Sequence, residues 1–283
     1  MSVQRFPLCP LPDLLTAPID PFTHLPTLRD RLTPAEQSAV RVTPDTLLRW
    51  DEQAQGHGLP ACWRLSDQQL EDSRCALLGP HDALHDLWLF GYGSLMWDPG
   101  VHFAEVRLAD LPGFERRFSY KTTMGRGTPD KPALTLSLEP SAGGCRGLVF
   151  RIAADRVAVE SGMVWRREML RNGYCPTWLP MSTPQGPVTA LAFVSNRSHE
   201  GYAGDLSLAQ AAAIIATACG VFGSNRDYLE QLAAQLAALA IEDAYIAQLQ
   251  QQVLAQALAQ AQALALALAL ALAQAQAQAQ AQG

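Results

Sequence analysis

Short apolar runs dominate the centre of the chain and predict β-strands. They lie at residues 87–90, 133–138, 147–152 and 188–194. The segment Thr135-Leu-Ser-Leu138 alternates apolar and polar residues, which is typical of a strand with one buried face.

Helical periodicity becomes prominent later in the chain. A helix is predicted over residues 157–171, and Ser224 or Asn225 is a suitable N-cap for the last amphipathic segment. Because strands come first and helices cluster afterwards, the pattern predicts an α+β fold with a mixed or largely antiparallel, partly barrelled sheet. Two later apolar faces follow helical spacing: Leu208, Ala211, Ala212 and Ile215, then Leu229, Leu232, Leu236 and Leu239.

Three regions differ in composition. Residues 1–85 are rich in proline and predict short helices that pack on the main domain or trail from it, with Thr33-Pro34 and Thr43-Pro44 as helix starts. Residues 86–252 are predicted to be the folded catalytic unit. Residues 253–283 form a low-complexity tail.

The tail contains almost only alanine, leucine and glutamine, and the last charged residue before it is Asp243. Its residues favour helix, but the alternation of alanine and leucine over 263–273 gives no clean helical stripe. Glutamines also shorten the apolar stretch below the length of a membrane span. We expect an exposed or partly disordered tail and no membrane partner, with self-association as an open alternative.

Composition narrows the partners. The 283 residues carry a net charge of −6 and no basic run, which argues against nucleic acid as the main partner. The six cysteines are scattered, and the N-terminus lacks the apolar core of a signal peptide. This pattern predicts a cytoplasmic protein without a disulfide framework; the oligomeric state is left open.

The segment from Leu87 to Met96 is the strongest candidate for binding. An apolar strand runs into Gly91-Tyr92-Gly93-Ser94-Leu95, and glycines in such a turn permit positive φ values. Successive N–H groups of Gly91, Tyr92, Gly93, Ser94, Leu95 and Met96 would then converge on a small anion. A tight hairpin turn with no ligand is the alternative.

Glu168 is the candidate general base. On a helix it shares a face with Val164 and Trp165, and partial burial there would raise the proton affinity of its carboxylate. The alternative is a surface ion pair with Arg171, three residues later.

Other polar residues are weaker candidates. Tyr174 either donates a hydrogen bond to substrate or serves as a core aromatic, and Arg126 either meets a second carboxylate or is a solvated loop residue. Ser94 follows glycine but lacks the context of a nucleophilic serine, so we treat it as a substrate contact. His81 and His85 have helical ligand spacing without an evident third ligand, and we predict no metal site.

Several motifs together resemble the ChaC-like γ-glutamylcyclotransferases. The match begins with Phe90-Gly-Tyr-Gly-Ser-Leu95 and continues over roughly residues 86–253. The further segments, in order, are Gly113-Phe-Glu-Arg-Arg-Phe118, Arg126-Gly-Thr-Pro129, Gly144-Cys-Arg-Gly147, Phe150-Arg-Ile152, Trp165-Arg-Arg-Glu-Met169 with Tyr174, and Gly220-Val-Phe-Gly-Ser-Asn225 with Tyr228-Leu229. The residue after Glu168 is methionine, closer to the bacterial branch than to eukaryotic members, which tend to have lysine there.

The resemblance implies a small cyclotransferase barrel with flanking helices and assigns the catalytic glutamate to Glu168. The implied enzyme needs no cofactor and converts glutathione to 5-oxoproline and Cys-Gly. Its substrate is a small molecule, held by the Gly91–Met96 turn with Tyr174 and Arg126. Two alternatives stay open: a cyclotransferase for another γ-glutamyl amide, and a non-catalytic γ-glutamyl-binding regulator associated with cation transport.

Overall fold

A closed β-barrel forms the centre of the molecule. The computed structural model describes residues 20–56, 58–79 and 85–281. Around the barrel the strand order is β1-β3-β2-β4-β5, and a parallel bridge between Leu89 and Leu191 joins β5 to β1. The predicted α+β class with a mixed, barrel-like sheet is therefore confirmed. The strands are β1 (Leu87–Gly91), β2 (Glu105–Thr122), β3 (Ala133–Ile152), β4 (Tyr174–Thr183) and β5 (Gly186–Ser195).

The two long strands β2 and β3 form most of the barrel wall. The sequence pattern predicted separate strands at 133–138 and 147–152, but β3 is continuous through both. Pro140 and two glycines hide the connection in the sequence, because they interrupt the apolar pattern without breaking the pairing. Register shifts in β2 near Gly113, which has φ +80°, accommodate the bend.

Helices cover the barrel. Ser224 caps α5 with a reciprocal capping box, which selects Ser224 from the two predicted caps. The predicted apolar face of α4 is also confirmed, since Ala211, Ala212 and Ile215 are buried. The helices are α1 (Pro44–Gly56), α2 (Asp67–Leu78), α3 (Val157–Glu168), α4 (Leu208–Thr217), α5 (Asn225–Ala238) and α6 (Ala244–Ala281), and a short ribbon pairs β6 (Cys219–Gly220) with β7 (Gly223–Ser224).

Helix α3 is shorter than predicted. It ends at Glu168 and not at residue 171, because the chain turns at Asn172, which has φ +59°, to enter β4. Gly173 follows, and a Cβ there would lie 2.7 Å from the Tyr120 ring. The early stop places Glu168 at the very end of the helix, beside the barrel.

The described part of the N-terminal region packs on the domain. Leu28, Leu47 and Leu70 belong to the same buried core as the barrel residues. Arg41 forms an ion pair of 2.5 Å with Glu160 of α3, whose side chain is 1% exposed. Residues 20–56 and 58–79 therefore support the helix that carries Glu168. Thr43 accepts a hydrogen bond from the Thr46 amide at the start of α1, as predicted, whereas Thr33-Pro34 precedes only a short 3₁₀ turn.

Helix α6 includes both core and tail. Its first part is buried up to Val253, and its leucines from Leu254 onwards are more than half exposed. The predicted boundary at residue 252 thus lies inside a continuous helix. By length and composition alone, α6 is the one helix among the described residues that could cross a membrane. The absence of a membrane partner stays a prediction.

Candidate active site

A pocket opens where the turn after β1 meets the end of α3. It encloses about 320 Å³, counted out to its mouth, which is at the small end for ligand sites. Both predicted parts of the site, the glycine turn and the glutamate, border this one pocket. The lining residues are Tyr92, Gly93, Ser94, Leu95, Leu136, Glu168, Tyr174, Phe193 and Tyr228.

The turn needs its glycines for close packing. Neither Gly91 nor Gly93 has a positive φ, so that part of the sequence prediction is wrong. A Cβ on Gly91 would lie 3.0 Å from Leu95 Cβ, and one on Gly93 would lie 3.1 Å from a methyl of Leu136 and 3.2 Å from the Tyr228 hydroxyl. The sequence signal was right for a different physical reason: the space beside the backbone is already occupied.

The turn continues into a 3₁₀ helix over Ser94–Met96. The Met96 amide donates to the Gly93 carbonyl at 2.8 Å, so it is not available to a ligand as predicted. Within the described part of the chain, the amides of Gly93, Ser94 and Leu95 donate to no protein group, as is usual at the start of a helix. Gly91 ends β1 and lies outside the pocket lining.

Two buried side chains fix the ends of this turn. Arg116, 2% exposed, donates from Nε to the Tyr92 carbonyl at 3.1 Å. Gln235 of α5 donates to the Met96 carbonyl at 2.7 Å. Met96 itself is fully buried, so its place in the motif is that of an anchor. The turn is therefore preorganised before any ligand binds.

Glu168 is the titratable residue of the pocket with an acidic side chain. Its side chain is 15% exposed, and Oε1 lies 3.1 Å from Arg167 Nε. Burial raises the pKa of Glu168, and the positive charge of Arg167 opposes that rise. Arg171, the partner in the alternative surface pair, lies instead 3.8 Å from Glu200. A carboxylate with raised proton affinity, facing a pocket, is suited to proton transfer.

Two tyrosines have hydroxyl protons committed to main-chain carbonyls. Tyr174 donates to Leu136 at 2.9 Å, and Tyr92 donates to Phe193 at 2.7 Å. Burial raises the pKa of both phenols, so they are neutral. Tyr174 therefore offers a ligand its oxygen as an acceptor, which differs from the predicted donor.

Sequence reasoning missed Tyr228, Leu136 and Phe193 as lining residues. Tyr228 comes from α5, far along the chain, and burial raises its pKa to about 12. Its place in the late glycine–serine–asparagine segment was the available signal. Arg126 lies outside the lining: it donates to the Ser224 carbonyl at 2.9 Å and stacks on Tyr228, 5.4 Å from the ring centre.

Arg167 was also missed as part of the site. Its Nη2 donates to Ser94 Oγ at 2.9 Å, and its Nη1 donates to the Asp98 carbonyl at 2.7 Å. The Ser94 hydroxyl thus has a guanidinium partner, which cannot accept its proton, and this agrees with treating Ser94 as a contact and not a nucleophile. The chain neighbour of a candidate base gave no sequence signal, because adjacent helical residues usually face apart.

The residues present do not point to a metal centre. No group of three or more metal-ligating side chains occurs within residues 20–56, 58–79 and 85–281. Of the two histidines with ligand spacing, His81 lies outside the described residues, so that pair is not examined by the structure.

Comparison with known proteins identifies relatives over the barrel region. A family model described as "ChaC-like protein" matches residues 87–256. The glutathione-specific γ-glutamylcyclotransferase of Escherichia coli K12 is 32% identical over 203 residues, covering 71% of this chain and 87% of that protein. The glutathione-specific γ-glutamylcyclotransferase 1 of Homo sapiens is 31% identical, covering 57% and 75% respectively.

A solved structure shares the fold. The crystal structure of a γ-glutamyl cyclotransferase specific to glutathione from yeast superposes with a TM-score of 0.57 at 22% identity. The match covers 61% of this chain and 97% of the yeast protein. At that identity the likeness concerns the fold of the barrel and its covering helices.

Proposed function

The chain belongs to the ChaC-like protein family, and from that premise we propose that it is a γ-glutamylcyclotransferase that degrades glutathione to 5-oxoproline and Cys-Gly. The observation that carries the proposal is the meeting of Glu168 and the Gly93–Leu95 amides around one small pocket. The relatives named for glutathione agree with it. The substrate is a small molecule.

The pocket suits the head of a γ-glutamyl group, which carries an α-carboxylate and an α-amine. The free amides of Gly93, Ser94 and Leu95 are donors for the carboxylate. Across the pocket, Glu168 and the phenol oxygens of Tyr92 and Tyr174 are acceptors for the amine. Donors on one side and acceptors on the other orient the two charged groups, and Leu136 and Phe193 contribute apolar wall.

The reaction is an intramolecular aminolysis. The α-amine of the substrate, with an ordinary pKa near 8, is largely protonated at neutral pH. Glu168 removes a proton, and the freed amine attacks the γ-carbonyl carbon to form the five-membered ring. The bond from that carbon to the cysteinyl nitrogen breaks, and Glu168 returns the proton to the departing amine.

Positioning supplies much of the rate in this scheme, because nucleophile and electrophile belong to one molecule. A flexible γ-glutamyl chain has many extended conformations, and the pocket selects a folded one that brings the amine to the γ-carbonyl. The fixed turn and the buried carboxylate are the two parts that achieve this. Arg126 would meet the far end of the substrate only through Tyr228, so we assign it an indirect role.

The substrate test compares γ-glutamyl amides on the same protein. Purified enzyme is incubated with glutathione, γ-glutamylcysteine and γ-glutamylalanine, and 5-oxoproline is quantified by mass spectrometry. The proposal predicts release from glutathione with the highest kcat/KM. Preference for another γ-glutamyl amide would change the substrate assignment. No release from any of them, together with measurable binding, would favour the non-catalytic regulator.

A further inference from the structure

One side chain connects the two halves of the pocket. The Arg167 guanidinium contacts Glu168 at the end of α3, Ser94 in the 3₁₀ turn and the Asp98 carbonyl just after it. Its side chain is 11% exposed, and each of its three nitrogens has a different partner. A planar guanidinium holds such a set of donors in fixed relative directions, which an ammonium group cannot do.

The local backbone accommodates this arrangement. Helix α3 ends at Glu168, so Arg167 lies in its last turn, where a positive charge is favoured by the helix dipole. Gly100 leaves room for the guanidinium: a Cβ there would lie 3.3 Å from Arg167 Nη1. The chain thus passes close to both faces of the contact, on the side of the turn and on the side of the helix.

We propose that Arg167 is a positioning residue that aligns Glu168 with the substrate-binding turn and keeps its carboxylate charged in a buried site. This inference rests on the proposed function, because it assigns Arg167 a role in the reaction that Glu168 performs. It names a residue that acts through two others and does not touch the substrate.

The surroundings of Glu168 explain why such a charge matters. Tyr92 from the turn, Tyr174 from β4 and Tyr228 from α5 also face Glu168, and all three phenols are neutral because burial raises the pKa of each. Burial raises the pKa of Glu168 as well, and Arg167 is the charged group that opposes this. Without Arg167, a larger fraction of Glu168 would be protonated at neutral pH and unable to accept a proton.

The charge and the geometry of Arg167 can be separated by two substitutions. Arg167→Lys keeps the positive charge but cannot reach all three partners in the same directions. Arg167→Gln removes the charge. Arg166→Gln is the matched control, since Arg166 is on the same helix but near Met163, at 3.7 Å, and under the influence of Asp67 and Glu71 of the N-terminal region.

The experiment measures kcat and KM for 5-oxoproline release from glutathione across the pH range in wild type and the three variants. In Arg167→Gln the acid limb of kcat/KM moves upward by about one pH unit or more, because a nearby opposite charge typically shifts a carboxylate pKa by that much. In Arg167→Lys the limb stays near its wild-type position, and kcat/KM falls by roughly 10-fold or more through lost charge-assisted hydrogen bonds. Arg166→Gln changes neither quantity by more than about twofold.

Titration of the Glu168 carboxyl by NMR of carbon-13-labelled protein provides a readout without substrate. Its pKa is expected to be higher in Arg167→Gln than in wild type and nearly unchanged in Arg167→Lys. If Arg167→Gln does not fold, the Lys variant still decides through its lower kcat/KM at an unshifted limb. Variants that match Arg166→Gln in both kcat/KM and acid limb would overturn the proposal. An inactive wild type would refute the proposed function instead.

Discussion

At the residue scale, Glu168 combines burial with a function that needs its charge. Its carboxylate is largely shielded from water, and its charged form is supported mainly by Arg167. Charge in a buried place costs stability, and an enzyme accepts that cost where proton transfer requires it. The same feature therefore connects the activity of this protein to its stability.

Replacement of Glu168 by glutamine is expected to change how stability depends on pH. The pKa of Glu168 is raised in the folded state above its model value of 4.5, so the folded state binds more protons than the unfolded state in the window above that value. The contribution of Glu168 to the free energy of unfolding then decreases as the pH rises through the window, by up to about 1.4 kcal/mol per pH unit. Glutamine has no such dependence.

The measurement is urea unfolding of wild type and Glu168→Gln at several pH values from mildly acidic to mildly alkaline. The free energy of unfolding of the variant, minus that of wild type, is expected to increase with pH. A difference that decreases with pH would mean that the pKa of Glu168 is lowered in the folded state, contrary to the structure.

Sequence reasoning identified Glu168 but not its ionic partner. The apolar neighbours Val164 and Trp165 indicated a buried face, and the family resemblance indicated the residue. Arg167 could not be found in this way, because its contacts with Ser94 and Asp98 depend on how the end of α3 meets a turn that lies about seventy positions earlier. Contacts between distant segments do not follow from local periodicity.

At the element scale, the turn after β1 is held in place by packing on three sides. Leu95 packs against Gly91, and Leu136 and Tyr228 pack against Gly93. Arg116 and Gln235 hold the carbonyls at its two ends. A small displacement of this turn would move all three free amides together relative to Glu168.

Gly93→Ala is expected to impair substrate binding while the protein still folds. The added methyl would lie 3.1 Å from Leu136 Cδ2 and 3.2 Å from the Tyr228 hydroxyl, and both are side-chain ends that can shift. Misplacement of a binding group by about 1 Å can cost roughly 100-fold in rate, so kcat/KM should fall by about 10- to 100-fold.

The control for this substitution is Gly143→Ala in β3. A Cβ there has its nearest contact at 3.5 Å, with Ser141 Oγ, so its steady-state kinetics should match wild type. Circular dichroism verifies that both variants are folded. Wild-type kinetics in Gly93→Ala would show that the close packing of the turn does not matter for activity.

The elements themselves were predicted with uneven success. Strand β1 and the α5 cap were found because an apolar run and a capping residue are local signals. Strand β3 was predicted as two pieces and α3 as too long, since Pro140 and Asn172 take their conformations from pairing and packing elsewhere. The positive φ expected for Gly91 and Gly93 was wrong, because the crowding that requires glycine there comes from other elements.

At the scale of the whole molecule, the N-terminal region is bound to the domain through a buried ion pair. Arg41 contacts both carboxylate oxygens of Glu160, at 2.5 Å and 3.0 Å, and the Gly100 carbonyl at 2.8 Å. The His102 amide also donates to Glu160. Glu160 belongs to α3, so the N-terminal region and the candidate base share one helix.

Arg41→Ala is expected to destabilise the protein strongly. It leaves the Glu160 carboxylate buried without its cationic partner, which typically costs about 3–5 kcal/mol. Thermal and chemical unfolding measure this loss. The control is Arg49→Ala, because Arg49 is an exposed residue near the same helix start. Equal stability of the two variants would mean that Arg41 does not hold the N-terminal region in place.

The tail and the domain are expected to separate within α6. Truncation after Gln260 removes only exposed residues, so the free energy of unfolding should change by no more than about 0.5 kcal/mol and the activity should persist. Leu249 is fully buried, and Leu249→Ala should cost about 2–5 kcal/mol. A truncated protein that loses stability as Leu249→Ala does would show that the tail contributes to the fold.

The most direct test of the proposed function is the release of 5-oxoproline from glutathione by wild type and by Glu168→Gln. The two side chains have nearly the same shape, but glutamine cannot accept the proton from the α-amine. The proposal predicts release by wild type and a loss of about 10²- to 10⁴-fold in kcat for the variant, with unchanged circular dichroism. Comparable release by both proteins would contradict the assignment of Glu168 as the base, and no release by wild type would contradict the proposed reaction.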